Sequence, residues 1–253
     1  MIYIAFLFLT FLILAFAFYQ WQHFMIFSPR YHRDIDLAEH CEILSITTDD
    51  GIELEGVVCE PKEHTNTLLY FGGRSQDTVG LVKKLSESLQ ETRVITFNYR
   101  SYGRSEGSAS EKSVLADSLL IADLIQKNYG DFYILGYSLG SSVGAYVASK
   151  KENLGVFLVG SFDSIASLAK RKYKLDFSNM FRYKFRTIDY VRNIASQTYL
   201  FVSKSDETTY IQNARKLKES IKNLIHYEEF DNLTHKEILW DDGIMKKISE
   251  IIE

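Results

Sequence analysis

A serine between two glycines, a late histidine and an intervening carboxylate are the residues of this chain that could do chemistry together. Gly136-Tyr137-Ser138-Leu139-Gly140 has the form G-x-S-x-G. The apolar run Phe132-Tyr133-Ile134-Leu135 precedes it and a helical pattern over 139–149 follows, so the motif is expected at a strand–turn–helix junction. A sharp turn there strains the serine and lifts its Oγ above the sheet, while glycines two residues to either side let the chain pass close neighbours. A serine hydroxyl attacks a carbonyl well only when a base takes its proton. Of the six histidines, His235 alone is expected in a loop after a late strand, at the carboxyl edge of a sheet. The imidazole needs a carboxylate to fix its tautomer and stabilise the imidazolium. Asp206, just past the strand pattern at 198–203, is the expected partner, ahead of Asp163 and Glu207. Asp163 reads instead as a helix cap before Ile165-Ala166. The expected oxyanion donors are two backbone amides: Leu139, which opens the helix, and Arg74, with Gly73 as second choice, in the glycine turn after Phe71. The chemistry is acyl transfer through a covalent serine intermediate.

Positioning three residues so far apart in sequence requires a sheet. Strand patterns at 41–48 and 52–59 are joined by Asp49-Asp50-Gly51, with Gly51 suited to the left-handed position of a three-residue hairpin loop. That loop pairs Ile46 with Leu54, Leu44 with Gly56 and Cys41 with Cys59. A slip of one residue would set Ile46 against Glu55, so the pattern supports the register. Further strands are expected at 67–71, 93–97, 131–136, 155–159, 198–203 and 224–230, and helices at 78–90, 111–128, 139–149, 208–222 and 236–252. Short apolar strands alternating with helices indicate a mostly parallel, eight-stranded sheet covered on both faces.

Residues 2–19 carry no charge. Eighteen residues at about 1.5 Å each reach roughly 27 Å, the hydrocarbon thickness of a bilayer. Tyr19 and Trp21 follow at the depth of aromatic belts. Ala15-Phe16-Ala17 has the form of a signal-peptide cleavage site, but no Lys or Arg precedes the segment, so a retained single-pass anchor is expected. The chain thus divides into an anchor at 1–22, a juxtamembrane segment at 23–40 and one catalytic domain at 41–253. Arg30 and Arg33, after the anchor, place that domain in the cytoplasm by the positive-inside rule. The cysteines pull the other way if bridged: Cys41 and Cys59 are either reduced thiols in adjacent strands or a cross-strand disulfide, which implies an oxidising compartment.

Phe24-Met25-Ile26-Phe27-Ser28-Pro29-Arg30, the Thr47-Thr48-Asp49-Asp50-Gly51 hairpin, Leu68-Leu69-Tyr70-Phe71-Gly72-Gly73, the loop from Asn98 to Gly107, the G-x-S-x-G elbow and the loops of Asp206 and His235 together resemble the α/β-hydrolase superfamily. Within it the chain is similar to a membrane-anchored group of serine hydrolases that includes bacterial members of unassigned substrate and the eukaryotic abhydrolase-domain depalmitoylases. The resemblance implies an α/β-hydrolase fold with a small helical cap at about 161–197, hydrolysis of a carboxylic ester or acyl-thioester, and a bacterial inner-membrane setting. Where the family usually has His-Gly before the oxyanion amide, this chain has Gly72-Gly73.

The cap region is basic. Eight Lys and Arg stand against Asp176 and Asp189 between 170 and 192, with Tyr173, Phe177, Phe181, Tyr183 and Phe185 interleaved. It reads either as a solvated cap with an aromatic underside or as a surface lying on an anionic leaflet. A net charge of −4 gives no reason to expect nucleic acid as a partner. The cysteines and histidines lack metal-ligand spacing, and no cofactor is expected. Two competing readings are a peptidase on the same fold and a non-catalytic membrane scaffold.

Overall fold

The computed structural model describes residues 2–31, 35–63, 66–174, 176 and 178–252. Arg33, of the orientation reading, and Phe177, of the cap, lie outside the described residues. Eight strands form one sheet: β1 (Cys41–Thr47), β2 (Glu53–Cys59), β3 (Asn66–Phe71), β4 (Thr92–Phe97), β5 (Phe132–Tyr137), β6 (Gly155–Val159), β7 (Gln197–Ser203) and β8 (Leu224–Phe230). Their spatial order is β1-β2-β4-β3-β5-β6-β7-β8. The β1–β2 and β2–β4 pairs are antiparallel, and the rest are parallel.

The helices are α1 (Ile2–Ile26), α2 (Thr78–Ser88), α3 (Glu111–Tyr129), α4 (Leu139–Ala148), α5 (Ile165–Tyr173), α6 (Thr187–Val191), α7 (Ile211–Lys218) and α8 (Asp242–Ile252). One buried cluster joins α2 and α8 to the sheet, and a second joins α3, α4, α6 and α7 to its other face. With both faces covered, the central strands must be apolar throughout. Val156, Phe157, Leu158 and Val159 of β6 accordingly have no exposed surface. The edge strand β8 is only partly buried and tolerates His226, Glu228 and Glu229.

The expected hairpin is present in its expected register, with Ile46 opposite Leu54, Leu44 opposite Gly56 and Cys41 opposite Cys59. Gly51 has φ +80°, and Thr48 N–H donates to the Ile52 carbonyl across the three-residue loop. Cys41 and Cys59 are joined as a disulfide, which corrects the reading of two reduced thiols. Opposite positions of an antiparallel pair bring the Cβ atoms within reach of such a bridge.

Three elements differ from expectation. α7 begins at Ile211 rather than at 208, because residues 206–209 fold around the Asp206 carboxylate. The helix expected over 236–252 divides into a 3₁₀ turn at Ile238–Trp240 and α8, separated by Asp241 in an extended conformation (ψ 125°). α1 extends to Ile26, one turn past the expected end of the anchor. Among the described residues it is the one helix long and apolar enough to cross a membrane.

Candidate active site

β5 ends at Tyr137, and Ser138 turns the chain into α4 with φ 55° and ψ −119°. A non-glycine residue is strained at positive φ, and the surrounding packing must impose it. The imposition is visible at the flanking glycines. A Cβ on Gly136 would lie 2.5 Å from the Gly140 carbonyl oxygen, and one on Gly140 would lie 2.0 Å from that of Phe71. No side chain fits at either position, so β5 and α4 pass as closely as the elbow requires. The turn is tied down by Ser138 N–H to the Val159 carbonyl (3.0 Å) and by Ser141 Oγ to the Ser138 carbonyl (2.6 Å).

His235 follows β8 in a loop held by Thr234 N–H donating to Glu237 Oε2 (2.8 Å). Its Nε2 lies 2.8 Å from Ser138 Oγ and its Nδ1 lies 2.7 Å from Asp206 Oδ2. Asp206 is 4% exposed and Ser138 7%. The structure thus brings the three expected residues into one hydrogen-bonded chain. Burial alone would raise the Asp206 carboxyl, but the His235 hydrogen bond and charge, with Thr209, outweigh it and hold it below the usual carboxylate range.

Asp163 and Glu207 stay outside this chain. Asp163 does not cap α5; Ser164 does, its Oγ accepting from Ser167 N–H (3.2 Å). The Asp163 carboxylate instead accepts from Lys216 Nζ (2.6 Å) and Asn213 Nδ2 (2.7 Å). Glu207 lines the cavity mouth without meeting the imidazole.

Leu139 and Arg74, with Ser138, line a cavity of about 410 Å³. The second choice, Gly73, is excluded as a donor because its N–H is held by Gln76 Oε1 (2.6 Å). Tyr99 Oη donates to the Gly72 carbonyl (2.9 Å), and Tyr102 Oη and Ser28 N–H both donate to that of Arg74. These bonds fix the peptide planes on both sides of the Arg74 N–H. Among the described residues neither the Leu139 nor the Arg74 amide has an acceptor, so both remain available to an incoming oxygen.

Four supporting residues were missed by the sequence reading. Thr208 and Thr209 donate backbone N–H bonds to Asp206 Oδ1 (2.7 and 2.8 Å), and Thr209 Oγ1 donates to Oδ2 (2.6 Å). The Asp-x-Thr-Thr spacing is a turn signal that could have revealed them. Tyr137 stacks on the His235 ring (centroids 5.2 Å apart) and donates to its carbonyl. Gln76 carries no such local signal, because its partners Tyr70 and Gly73 meet it only in the folded turn.

A group of His40, Cys41 and Cys59 brings ligand-type atoms within 4.8 Å of one another. Both sulfurs are joined in the disulfide, so neither is a thiolate ligand.

Known proteins share this architecture. The family model described as alpha/beta hydrolase fold matches residues 67–187. The lysophosphatidylserine lipase ABHD12 of Danio rerio is 34% identical over 97 residues, 36% of this chain and 25% of that protein. An uncharacterised membrane protein of Saccharomyces cerevisiae is 30% identical over 132 residues, 49% of this chain and 46% of its own. The match therefore spans less than half the length of these curated relatives. Among solved structures, the Pyrococcus furiosus esterase Pf2001 superposes with a TM-score of 0.67 at 15% identity, over 89% of this chain and 97% of that one. The esterase domain of a Rhodothermus marinus protein gives 0.61 at 18%, over 83% and 95%. At such identities the likeness is one of fold. With the sheet order, the serine elbow and the matched stretch in agreement, the chain has the α/β-hydrolase fold.

Proposed function

We propose that this chain is a serine hydrolase that cleaves carboxylic esters or acyl-thioesters, with a lipid-borne acyl group as the natural substrate class. One observation carries the reading: the unbroken hydrogen-bonded path from Asp206 through His235 to the oxygen of Ser138, ending in a cavity. In the proposed mechanism His235 takes the Ser138 proton as Oγ attacks the carbonyl carbon. The Leu139 and Arg74 amides receive the oxyanion, and His235 returns the proton to the departing alcohol or thiol. Water, deprotonated by the same imidazole, then releases the acid from the acyl-serine.

The lipid class is supported by the apolar helix α1 and by a relative whose name is lysophosphatidylserine lipase. The same helix supports anchorage by α1, and the Cys41–Cys59 bridge favours an oxidising compartment over the cytoplasm expected from the arginines. Unreduced protein should accordingly show no titratable thiol.

A fluorophosphonate probe is expected to label the parent chain and not Ser138→Ala. Activity on p-nitrophenyl esters of graded chain length and on acyl-CoA should fall at least ~10⁴-fold in that variant. Equal labelling of the two proteins would refute the proposal.

A further inference from the structure

The cavity is walled on two sides by elements that meet beyond the hydrolase core. One is the end of α1, through Met25 and Ile26; the other is the cap, through Leu168, Lys172, Tyr173 and Phe181. Their contact fixes the cap at a definite depth along α1. Gln22 is buried, its Nε2 donating to the Met180 carbonyl (2.9 Å) and its Oε1 accepting from Arg182 N–H (2.6 Å). The Arg182 guanidinium lies over the Tyr19 ring at 5.0 Å, and the Phe18 and Phe181 rings meet edge to face at 6.5 Å. Residues 180–182 are therefore level with residues 18–22, the end of the apolar stretch. When residues 2–19 span the hydrocarbon, this part of the cap sits in the headgroup layer.

The chemistry of the cap surface matches that depth. From 181 to 186 the chain alternates: Phe181, Tyr183 and Phe185 are buried, while Arg182, Lys184 and Arg186 are exposed. Arg186 pairs with Asp189 and Lys170 with Asp176. The side-chain cations of Lys172, Lys174, Arg182 and Lys184 form no ion pair with a carboxylate among the described residues. Beside these unpaired cations Tyr173 and Met180 project, 43% and 49% exposed. A surface serving only solubility has no need of large apolar side chains among unpaired cations, whereas an interfacial surface uses both: cations for lipid headgroups and apolar tips for the acyl boundary.

We infer that the cap docks on an anionic lipid leaflet and that the cavity receives its acyl chain from that leaflet, between the end of α1 and α5. The inference deepens the hydrolase reading and rests on it for the acyl chain, but not for the docking.

The test uses the full chain in nanodiscs of phosphatidylcholine, with or without phosphatidylglycerol. The bridged native cysteines leave a thiol introduced by Met180→Cys as the site for a nitroxide. With anionic lipid present, that label is expected to be accessible to oxygen and shielded from a water-soluble nickel complex. A control label at Ile225→Cys on the exposed edge strand should remain open to nickel. Equal nickel access at the two positions would overturn the docking, and so would an acidic protein that captured the cap while the label stayed in water.

A second arm uses Lys174→Glu/Lys184→Glu, neither of which lines the cavity. Hydrolysis of a long-chain ester embedded in anionic discs should fall about tenfold, while p-nitrophenyl butyrate turns over at the parent rate. An unchanged rate on the embedded ester overturns the portal. Loss of p-nitrophenyl butyrate hydrolysis by the parent itself would instead overturn the hydrolase reading and leave the label depths to decide the docking.

Discussion

Asp163 and Asp206 stand in equivalent places and have opposite surroundings. Each follows a parallel strand, β6 or β7, at the same edge of the sheet, and each is almost wholly buried, with 0% and 4% exposure. Around Asp206 the donors are two backbone amides, a threonine hydroxyl and the imidazole of His235. None of these donors is a fixed cation, so the carboxylate keeps its charge to direct at the imidazole. Around Asp163 the donors are Ser164 N–H, Asn213 and the ammonium of Lys216, which neutralises it locally. Position at the sheet edge therefore offers two carboxylates, and the partners supplied by α7 and the loop after β8 decide which can serve a histidine. Asp163 instead pins the cap: through Asn213 and Ser167 it links α5 to α7.

Exchanging the carboxylates for amides should separate the two roles most widely. Asp206→Asn is expected to lower kcat about 10⁴-fold, because the amide leaves the imidazole in the wrong tautomer. Asp163→Asn should keep kcat within a few-fold of the parent. Ester hydrolysis measured side by side checks this, and equal losses would erase the distinction.

Next in size is Lys216→Met. Lys216 is more than half exposed and loses little by its own removal, but Asp163 is left as a buried carboxylate without its cation. Urea unfolding should report a loss of about 3 kcal/mol with near-parent kcat. A stability unchanged by this substitution would mean that Asn213 and Ser164 alone suffice to hold the charge.

The smallest effect concerns pH. The Asp206 carboxyl is lowered in the folded chain, so it contributes stability that is fully present above the usual carboxylate range and lost as the pH falls through and below that range. Unfolding free energy should decline on acidification below about pH 4, and less steeply in Asp206→Asn. Parallel pH profiles for the two proteins would remove Asp206 from the account.

Much of this arrangement was legible in the chain itself. The β1–β2 register could be read because alternation and a glycine loop allow one pairing that keeps Ile46 and Leu54 on the same face. The serine elbow could be read because Gly136 and Gly140 mark where a Cβ cannot fit. His235 and Asp206 could be read because strands that end at one edge deliver their following loops to one place. Tyr99 and Tyr102 could not, since their contacts with the turn at 72–74 join residues from separate elements, and Gln76 could not, since an irregular turn leaves no periodic trace. The end of α7 nearest the site also escaped, because the turn around Asp206 competes locally with a helix that the apolar pattern favours.

The sequence by itself determined the order of the strands, the pairing of the hairpin and which three side chains the fold would bring together, all of which follow from local periodicity and from residues with a single steric use. Only the tertiary structure decided that Cys41 and Cys59 are bridged, that Lys216 claims Asp163, that Gln76 occupies the Gly73 amide, and that the end of α1 walls the cavity. Each of these depends on which donor, acceptor or sulfur lies within a few ångströms across distant segments, and short-range patterning of a chain holds no record of such distances.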